Sequence, residues 1–260
     1  MKAKYDKIGI GYNQTRKADK YLTDRLFYHL NPAKGKTYLD IGCGTGNYTI
    51  ALNQKGVSMI GIDPSVEMLK IAKAKNANIQ WYIGNVENIQ LEDEVVDGAI
   101  ASLTIHHWPD LQKGFEEMNR VLKKNSRLVI FTSTPHQMKG YWLNYYFPKM
   151  LEDSMHQMPT YEKVAACLEN NSFHILGTEK YFVKEDLEDL FLQSGKYNPS
   201  LYLNKQVRRG ISSFSLAQAK EVTSGLEKLE DDIESGIIDS IIEKYKHDEG
   251  DYLFIMAIKK

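Results

Sequence analysis

The segment best suited to hold a ligand contains three glycines at alternate positions, Gly42, Gly44 and Gly46. Residues 38–41 before them are suited to a buried strand, and a polar segment that can begin a helix follows. Glycine permits positive φ angles and a close backbone approach, so this run predicts a tight strand-to-helix turn whose amides contact a ligand. Within the strand, the carboxylate of Asp40 would repel a phosphate and attract an ammonium group.

The spacing of these glycines discriminates between two kinds of nucleotide cofactor. A dinucleotide-binding turn follows the pattern G-x-G-x-x-G, in which the third glycine packs a helix against a strand. Here Asn47 stands in the place of that third glycine, and Asp40 is unfavourable for a pyrophosphate. The run instead resembles motif I of the class I S-adenosylmethionine-dependent methyltransferases. The alternative is a glycine turn that only tightens a corner between strand and helix.

The resemblance implies a set of cofactor-binding residues. In that family the turn holds the methionine end of the cofactor, an acid ending the second strand accepts the ribose hydroxyls, and later residues contact the adenine. The matching positions are Asp40, Gly42, Cys43, Gly44, Asp63, Met68, Asn85, Val86 and Ser102. Asn85 departs from the family, which usually has an acid there, although an amide oxygen can also accept from the adenine amine. Met68 fits a helix core equally well, and Cys43 is interpreted as a small packed residue.

The N-terminal segment, residues 1–30, predicts a helical flap over the cofactor. Its pattern of aromatic, glycine and arginine residues is similar to the leader of many small-molecule methyltransferases. The resemblance implies that Arg16 pairs with the cofactor carboxylate and that Tyr12 closes over the sulfonium. The alternative is an exposed arm whose aromatic residues occur there by chance.

Two adjacent histidines, His106 and His107, follow the predicted fourth strand, which in this family ends beneath the reacting methyl group. Methyl transfer requires an acceptor that is in line with the methyl carbon and shielded from water. A base is needed only if the acceptor must lose a proton, and imidazole, which titrates near pH 6.5, is suited to take it. In the alternative interpretation, one ring packs against Trp108 and the other hydrogen-bonds the loop backbone.

Residues 137–160, after the fifth strand, are rich in aromatic and methionine side chains, as an adaptable apolar pocket would be. We expect this insertion to face the methyl acceptor. The candidate substrate contacts are Tyr141, Trp142, Tyr145 and Tyr146. Their i, i+4 spacing is also typical of a helix packed on a sheet, so each residue is equally a candidate for the core.

The composition argues against several classes of function. A formal net charge of −1 gives no electrostatic reason to expect a nucleic acid partner. No apolar run of about 18 residues predicts a membrane span, and the first residues lack a signal-peptide core. The two cysteines are far apart, as is common in a reducing cytoplasm, and no histidine spacing matches a metal motif. We expect a cytoplasmic monomer or homodimer without a metal ion.

Apolar strands alternate with helices from residue 36 to residue 133, which predicts an α/β fold with a parallel sheet and helices on both faces. The resemblance implies a Rossmann-like sheet of seven strands, with the last strand, 251–258, antiparallel between the fifth and the sixth, 173–183. We expect one amphipathic helix over 215–234. Residues 31–135 would form the cofactor-binding core, and 136–260 would complete the sheet and supply a helical substrate cap.

The resemblance therefore implies a methyltransferase that moves a methyl group from S-adenosylmethionine to a small molecule by in-line displacement, onto O or N more readily than onto C or S. Two other functions remain open. A nucleotide-linked oxidoreductase would bind NAD, and Asp40 and Asn47 disfavour it. A non-catalytic cofactor-binding protein would lack an acceptor pocket, and the aromatic insertion disfavours that.

Overall fold

A computed structural model describes residues 15–260 of the chain. One sheet contains seven strands: β1 (Thr37–Ile41), β2 (Ser58–Asp63), β3 (Gln80–Ile83), β4 (Val96–Ser102), β5 (Leu122–Thr132), β6 (Phe173–Tyr181) and β7 (Tyr252–Lys259). Their order is β3-β2-β1-β4-β5-β7-β6. Strands β1 to β5 pair in parallel, and β7 runs antiparallel between β5 and β6. The expected Rossmann-like sheet and the place of its last strand are confirmed.

Helices connect the strands. Their bounds are Lys20–Leu30, Asn47–Gln54, Val66–Lys75, Leu111–Val121, Pro135–Met138, Leu143–Tyr146, Pro148–Gln157, Tyr161–Asn170, Lys205–Arg209, Ser212–Leu216, Ala219–Glu234 and Ile237–Lys244. The single helix expected over 215–234 is instead two helices, because Ala217 and Gln218 adopt extended backbone angles (ψ 157° and 127°) between them. None of the helices within residues 15–260 combines the length and the apolar character needed to cross a bilayer.

The sheet separates two hydrophobic cores, as alternation along β5 illustrates. Leu128 and Ile130 belong to one core, whereas Val129 and Phe131 belong to the other. Successive side chains of a strand point to opposite faces, so a strand that is apolar at every position is buried on both sides. The sheet is therefore covered by helices on both faces, and its strand ends are the edges available for a site.

The strand order reverses direction between β1 and β4, which in open α/β sheets is where a ligand-binding crevice forms at the carboxyl ends of the strands. Of the predicted flap, residues 1–30, the structure describes the part from residue 15 onward. Its helix Lys20–Leu30 buries Leu22, Leu26 and Leu30 in a core of the sheet. The part of residues 1–30 that reaches the crevice within the described chain is the segment around Arg16.

Candidate active site

Two adjoining cavities lie at the carboxyl ends of the strands. The larger has a volume of about 560 Å³, within the range of roughly 300–1,000 Å³ that is typical of ligand pockets. The smaller has a volume of about 110 Å³. Of the described residues, four line both cavities: Arg16, Leu103, His106 and Gln157. We call the larger the cofactor cavity and the smaller the acceptor cavity, for the roles argued below.

The glycine turn after β1 forms one wall of the cofactor cavity. Gly42, Gly44 and Gly46 have φ angles of 74°, 54° and 75°, which favour glycine. A Cβ atom at Gly42 would overlap Thr104, whereas a Cβ at Gly44 would meet no atom of residues 15–260 within 4 Å. Gly42 is therefore required by packing, and Gly44 keeps the cavity wall open.

Asp63, at the end of β2, faces the same cavity next to the turn. Its Oδ2 accepts a hydrogen bond of 2.8 Å from the amide of Gly44, and its Oδ1 accepts one of 2.8 Å from the amide of Ser65. Asp63 is thus held rigidly by backbone amides, in a position to accept hydroxyl groups of a ligand.

Asp40 has a different place from the one expected. The residue is only 3% exposed, its Oδ2 accepts a hydrogen bond of 2.6 Å from Thr49 Oγ1, and it is not among the residues that line the cavity. Burial raises the pKa of Asp40 to about 7, the hydrogen bond from Thr49 opposes this, and the charge of Asp63 adds to it. Asp40 therefore ties the strand to the following helix from behind the turn.

Arg16 reaches the cavity as part of an ion pair. Its guanidinium donates to both carboxylate oxygens of Asp189, with Nη2 3.2 Å from Oδ2. Tyr48 donates a hydrogen bond of 3.0 Å to the same Oδ2, and Asn47 Nδ2 donates one of 3.0 Å to the Arg16 carbonyl. This network brings together the N-terminal segment, the glycine turn and the chain before Phe191. It also gives a reason for asparagine at the position of a third glycine.

The remaining cofactor candidates divide into two groups. Cys43, Met68, Asn85 and Ser102 line the cofactor cavity, whereas Val86 is buried in a core and does not. Burial raises the pKa of the Cys43 thiol well above its ordinary range, which keeps this thiol protonated and a poor nucleophile. Tyr12 lies outside the described residues.

The two histidines occupy a short 3₁₀ turn, Ile105–His107, after β4. Their ring centroids are 3.9 Å apart, but only His106 lines both cavities, since His107 lines the cofactor cavity alone. Leu103, which precedes the turn, has a φ of 52°, a conformation that bulky residues rarely adopt outside functional sites. This backbone turns the chain so that His106 stands where the two cavities meet.

The acceptor cavity is formed by side chains from separate parts of the chain. The helix Pro148–Gln157 contributes one face, with Met150, Asp153, Ser154 and Gln157 at helical spacing. Its Ser154 Oγ donates a hydrogen bond of 2.8 Å to Ser213 Oγ in the next helical layer. The other lining residues are Arg16, Leu103, His106, Ser133, Met138, Tyr141, Met158, Phe191, Leu192, Ile211, Ser212, Ser213, Leu216, Ala217 and Tyr252.

The four predicted substrate contacts are not brought together. Tyr141 lines the acceptor cavity, but Trp142, Tyr145 and Tyr146 line neither cavity. Trp142 is 2% exposed and Tyr146 donates a hydrogen bond of 2.9 Å to Asp232, so both anchor the core between helices. Tyr145 is 39% exposed beneath Lys228, with Nζ 3.6 Å from the ring centroid. Trp142 and Tyr146 therefore fit the core alternative, whereas Tyr145 fits neither the pocket nor the core.

The structure also identifies site residues that sequence reasoning missed. Asp189 and Gln157 have no motif around them, and only the fold brings them to the crevice. Met138, Met150 and Met158 belong to the segment expected to face the acceptor, and they line the smaller cavity. The i, i+4 pair Met150 and Ser154 was the signal that could have found the correct face of that helix.

The cofactor cavity fits the implied cofactor. Ser102 Oγ is buried, and within residues 15–260 it has no hydrogen-bond partner, although it belongs to a residue that lines the cofactor cavity. Buried polar atoms are normally satisfied, so this hydroxyl fits a site designed for a polar ligand. With the open turn at Gly44 and the carboxylate of Asp63, the cavity suits a nucleoside joined to an amino acid.

Comparison with known proteins gives a consistent result. Residues 39–130 match the methyltransferase domain family. The demethylmenaquinone methyltransferase of Oceanobacillus iheyensis is 30% identical over 176 residues, covering 64% of this chain and 71% of that relative. Other curated relatives, uncharacterised mycobacterial methyltransferases, are matched over about half of their length (46%).

Solved structures extend the comparison to nearly the whole chain. A crystal structure from Anabaena variabilis ATCC 29413, provisionally named a methyltransferase from an antibiotic biosynthesis pathway, is 35% identical. It covers 94% of this chain and 98% of its own, with a TM-score of 0.84. Geranyl diphosphate C-methyltransferase from Streptomyces coelicolor A3(2), solved with S-adenosyl-L-homocysteine, shares the fold at 15% identity, covering 92% and 79%, with a TM-score of 0.58.

The fold, the strand-end cavity and these relatives together define the class of protein. This chain belongs to the class I S-adenosylmethionine-dependent methyltransferases, and S-adenosylmethionine is its cofactor.

Proposed function

We propose that this protein transfers the methyl group of S-adenosylmethionine to a small-molecule acceptor, O or N more readily than C or S, by in-line displacement. The observation that carries the proposal is the shared wall of the two cavities, formed by Arg16, Leu103, His106 and Gln157. A cofactor in one cavity and an acceptor in the other would meet at this wall, away from bulk water. The relatives named demethylmenaquinone methyltransferases also support a small-molecule acceptor.

On this proposal, the backbone of Gly42 and Gly44 receives the methionine end of the cofactor, Asp63 accepts the ribose hydroxyls, and Met68 and Asn85 lie at the adenine. The guanidinium of Arg16 pairs with the cofactor carboxylate. Asp189 and Tyr48 then act as positioning residues, because Asp189 accepts from the guanidinium and Tyr48 donates a hydrogen bond to Asp189. Ser102 offers its buried hydroxyl near the reacting end.

The cofactor supplies an electrophilic methyl group on a sulfonium. A lone pair of the acceptor forms the new bond to the methyl carbon while the carbon–sulfur bond breaks, and that electron pair stays on sulfur. His106 receives the proton that the acceptor loses and passes it to solvent. We favour His106 over His107 for this role, because only His106 lines both cavities. His107 packs behind it, with 3.9 Å between ring centroids.

The first test is calorimetric titration with S-adenosylmethionine, S-adenosylhomocysteine and NAD, on the wild type and on Asp63→Ala. We expect the two sulfur ligands to bind and NAD not to bind, with at least a tenfold loss in the variant, because the ribose hydroxyls lose a charged partner. A matched control is Asp24→Ala, since the interaction of Asp24 within the described part of the chain is a surface ion pair with Lys55. A preference for NAD would indicate an oxidoreductase instead.

The role of His106 needs a separate measurement. In His106→Gln we expect the rate of transfer to a hydroxyl acceptor to fall about a hundredfold at pH 7, with cofactor affinity within twofold of the wild type. His107→Gln should have a much smaller effect on the rate. Equal losses in both variants would contradict the assignment of the base to His106.

A further inference from the structure

The charged groups of the acceptor cavity are already neutralised. Arg16 is paired with Asp189, and the proposed function assigns the rest of its guanidinium to the cofactor carboxylate. Asp153 lies 2.9 Å from the ammonium of Lys149. Within residues 15–260, Arg16 and Asp153 are the arginine, lysine, aspartate and glutamate side chains that line this cavity, and His106 is its histidine. An anion or a cation bound here would therefore be desolvated without gaining a dedicated counter-charge, which is unfavourable.

The floor of the cavity is polar but uncharged. Ser133 Oγ lies 2.9 Å from the hydroxyl of Tyr141, and both hydroxyls donate to the carbonyl of Asp251. The hydroxyl of Tyr252 accepts a hydrogen bond of 3.3 Å from the amide of Gln193. Burial raises the pKa of Tyr141 and Tyr252 well above the ordinary range of tyrosine. These phenols therefore remain neutral at physiological pH.

The walls are apolar and adaptable. Three methionines line the cavity, Met138, Met150 and Met158, together with Phe191. Unbranched thioether side chains adjust to flat rings and make favourable contacts with them. The volume of about 110 Å³ is smaller than that of engineered apolar cavities of about 150 Å³ that bind benzene, so a rigid body larger than one ring does not fit, and a ring requires the methionine side chains to adjust. Leu216, 48% exposed, forms part of the rim.

We propose that the methyl acceptor is a neutral, largely apolar molecule with a single ring and a hydroxyl group, of the simple phenol type. Its ring would lie among the three methionines and its hydroxyl would point to His106, where the cofactor cavity begins. The inference rests on the proposed function, because it takes the smaller cavity as the acceptor site. It excludes acceptors whose ring carries a carboxylate, phosphate or ammonium group.

Three phenols that differ mainly in charge test this directly: 4-hydroxybenzyl alcohol, 4-hydroxybenzoate and tyramine. Binding is measured by ligand-observed NMR titration of the full chain saturated with S-adenosylhomocysteine. We expect the neutral alcohol to bind at least tenfold more tightly than either ion. Equal or tighter binding of an ion, or no binding of any of the three at millimolar concentration, overturns the proposal. Failure of the proposed function would show itself separately, as failure to bind S-adenosylhomocysteine.

A pair of exposed leucines provides a gain-of-function test. Leu216→Lys adds an ammonium group at the cavity rim, whereas Leu176→Lys adds one on β6, at a residue that is 47% exposed and lines neither cavity. We expect Leu216→Lys to strengthen binding of 4-hydroxybenzoate relative to the neutral alcohol at least fivefold, and Leu176→Lys to leave the ratio unchanged. The same response in both variants, or in neither, would contradict the placement of the acceptor in this cavity.

Discussion

The two cavities share a wall, but they are built in different ways. The cofactor cavity is formed mainly by the turns that directly follow β1, β2, β3 and β4, with backbone amides and glycines at its centre. The acceptor cavity is formed by side chains from the segment that follows β5, from β7 and from several helices that are far apart in the chain. A site made of backbone demands particular residues at fixed spacing, whereas a site made of side chains demands only a suitable volume and polarity. Substitutions in the two regions should therefore differ in size of effect and in what they change.

The largest expected effect concerns Asp40, which supports the glycine turn from behind. Its pKa rises from 3.8 unfolded to about 7 folded, so the folded state holds the proton more tightly. The contribution of Asp40 to the free energy of unfolding is therefore greatest below about pH 4. It declines by about 4 kcal/mol in total as the pH rises to about 7. Urea unfolding across this range should show the decline in the wild type and not in Asp40→Asn.

The control for that experiment is to compare the wild type with the Asp40→Asn variant at each pH. Asp97 and Glu117 have lowered pKa values, Asp97 beside Lys123 and Glu117 beside Arg120, and they give the opposite slope in both proteins. Only the difference between wild type and variant reports on Asp40. A difference that stays constant with pH would show that Asp40 ionises normally.

The second prediction compares two glycines of the same turn. Gly42→Ala should lower the free energy of unfolding by about 3 kcal/mol, because its Cβ would overlap Thr104 and its φ is positive. Gly44→Ala has only the φ penalty, about 1 kcal/mol, but it should weaken cofactor binding, since Gly44 faces the cavity. Thermal unfolding and calorimetry separate the two effects, and equal destabilisation would contradict the packing argument.

The third prediction addresses Asp189, which holds Arg16. Asp189→Asn should weaken S-adenosylmethionine binding about tenfold, because the guanidinium loses the charged partner that fixes its orientation. Binding of 5′-methylthioadenosine, which lacks the amino-acid end, should stay within twofold of the wild type. A merely structural role would weaken both ligands, and tighter binding of S-adenosylmethionine would mean that Asp189 competes with the cofactor carboxylate.

The smallest expected effect separates two tyrosines of the insertion. Tyr141→Phe removes a buried hydroxyl that donates to the Asp251 carbonyl, so unfolding should become easier by about 1 kcal/mol and acceptor affinity should change. Tyr145→Phe, at an exposed ring, should change stability by less than about 0.5 kcal/mol and leave acceptor affinity unaltered. An equal change of acceptor affinity in both variants would support the original expectation that both tyrosines contact the acceptor.

Much of the fold and of the cofactor site was predictable, because its signals are local. Strands that are apolar at every position predicted a sheet covered on both faces, and Gly42 and Gly44 predicted the turn. The prediction of one helix over residues 215–234 was wrong in one respect. The helical spacing of apolar residues continues across Ala217 and Gln218, but the helix itself is interrupted there. Periodicity reports which side chains share a face, but it does not detect a short extended break between two helices.

The sequence by itself determined the class of fold, the glycine turn after β1 and the place of His106 and His107 just after β4, because each follows from residue types at short spacing. Only the tertiary structure decided which histidine meets both cavities, that Asp189 holds Arg16 across 173 positions of the chain, and that Tyr141 faces a cavity while Trp142 fills the core. These outcomes depend on how elements distant in the chain pack together. That packing is set by the volumes and charges of residues that a local sequence pattern does not include.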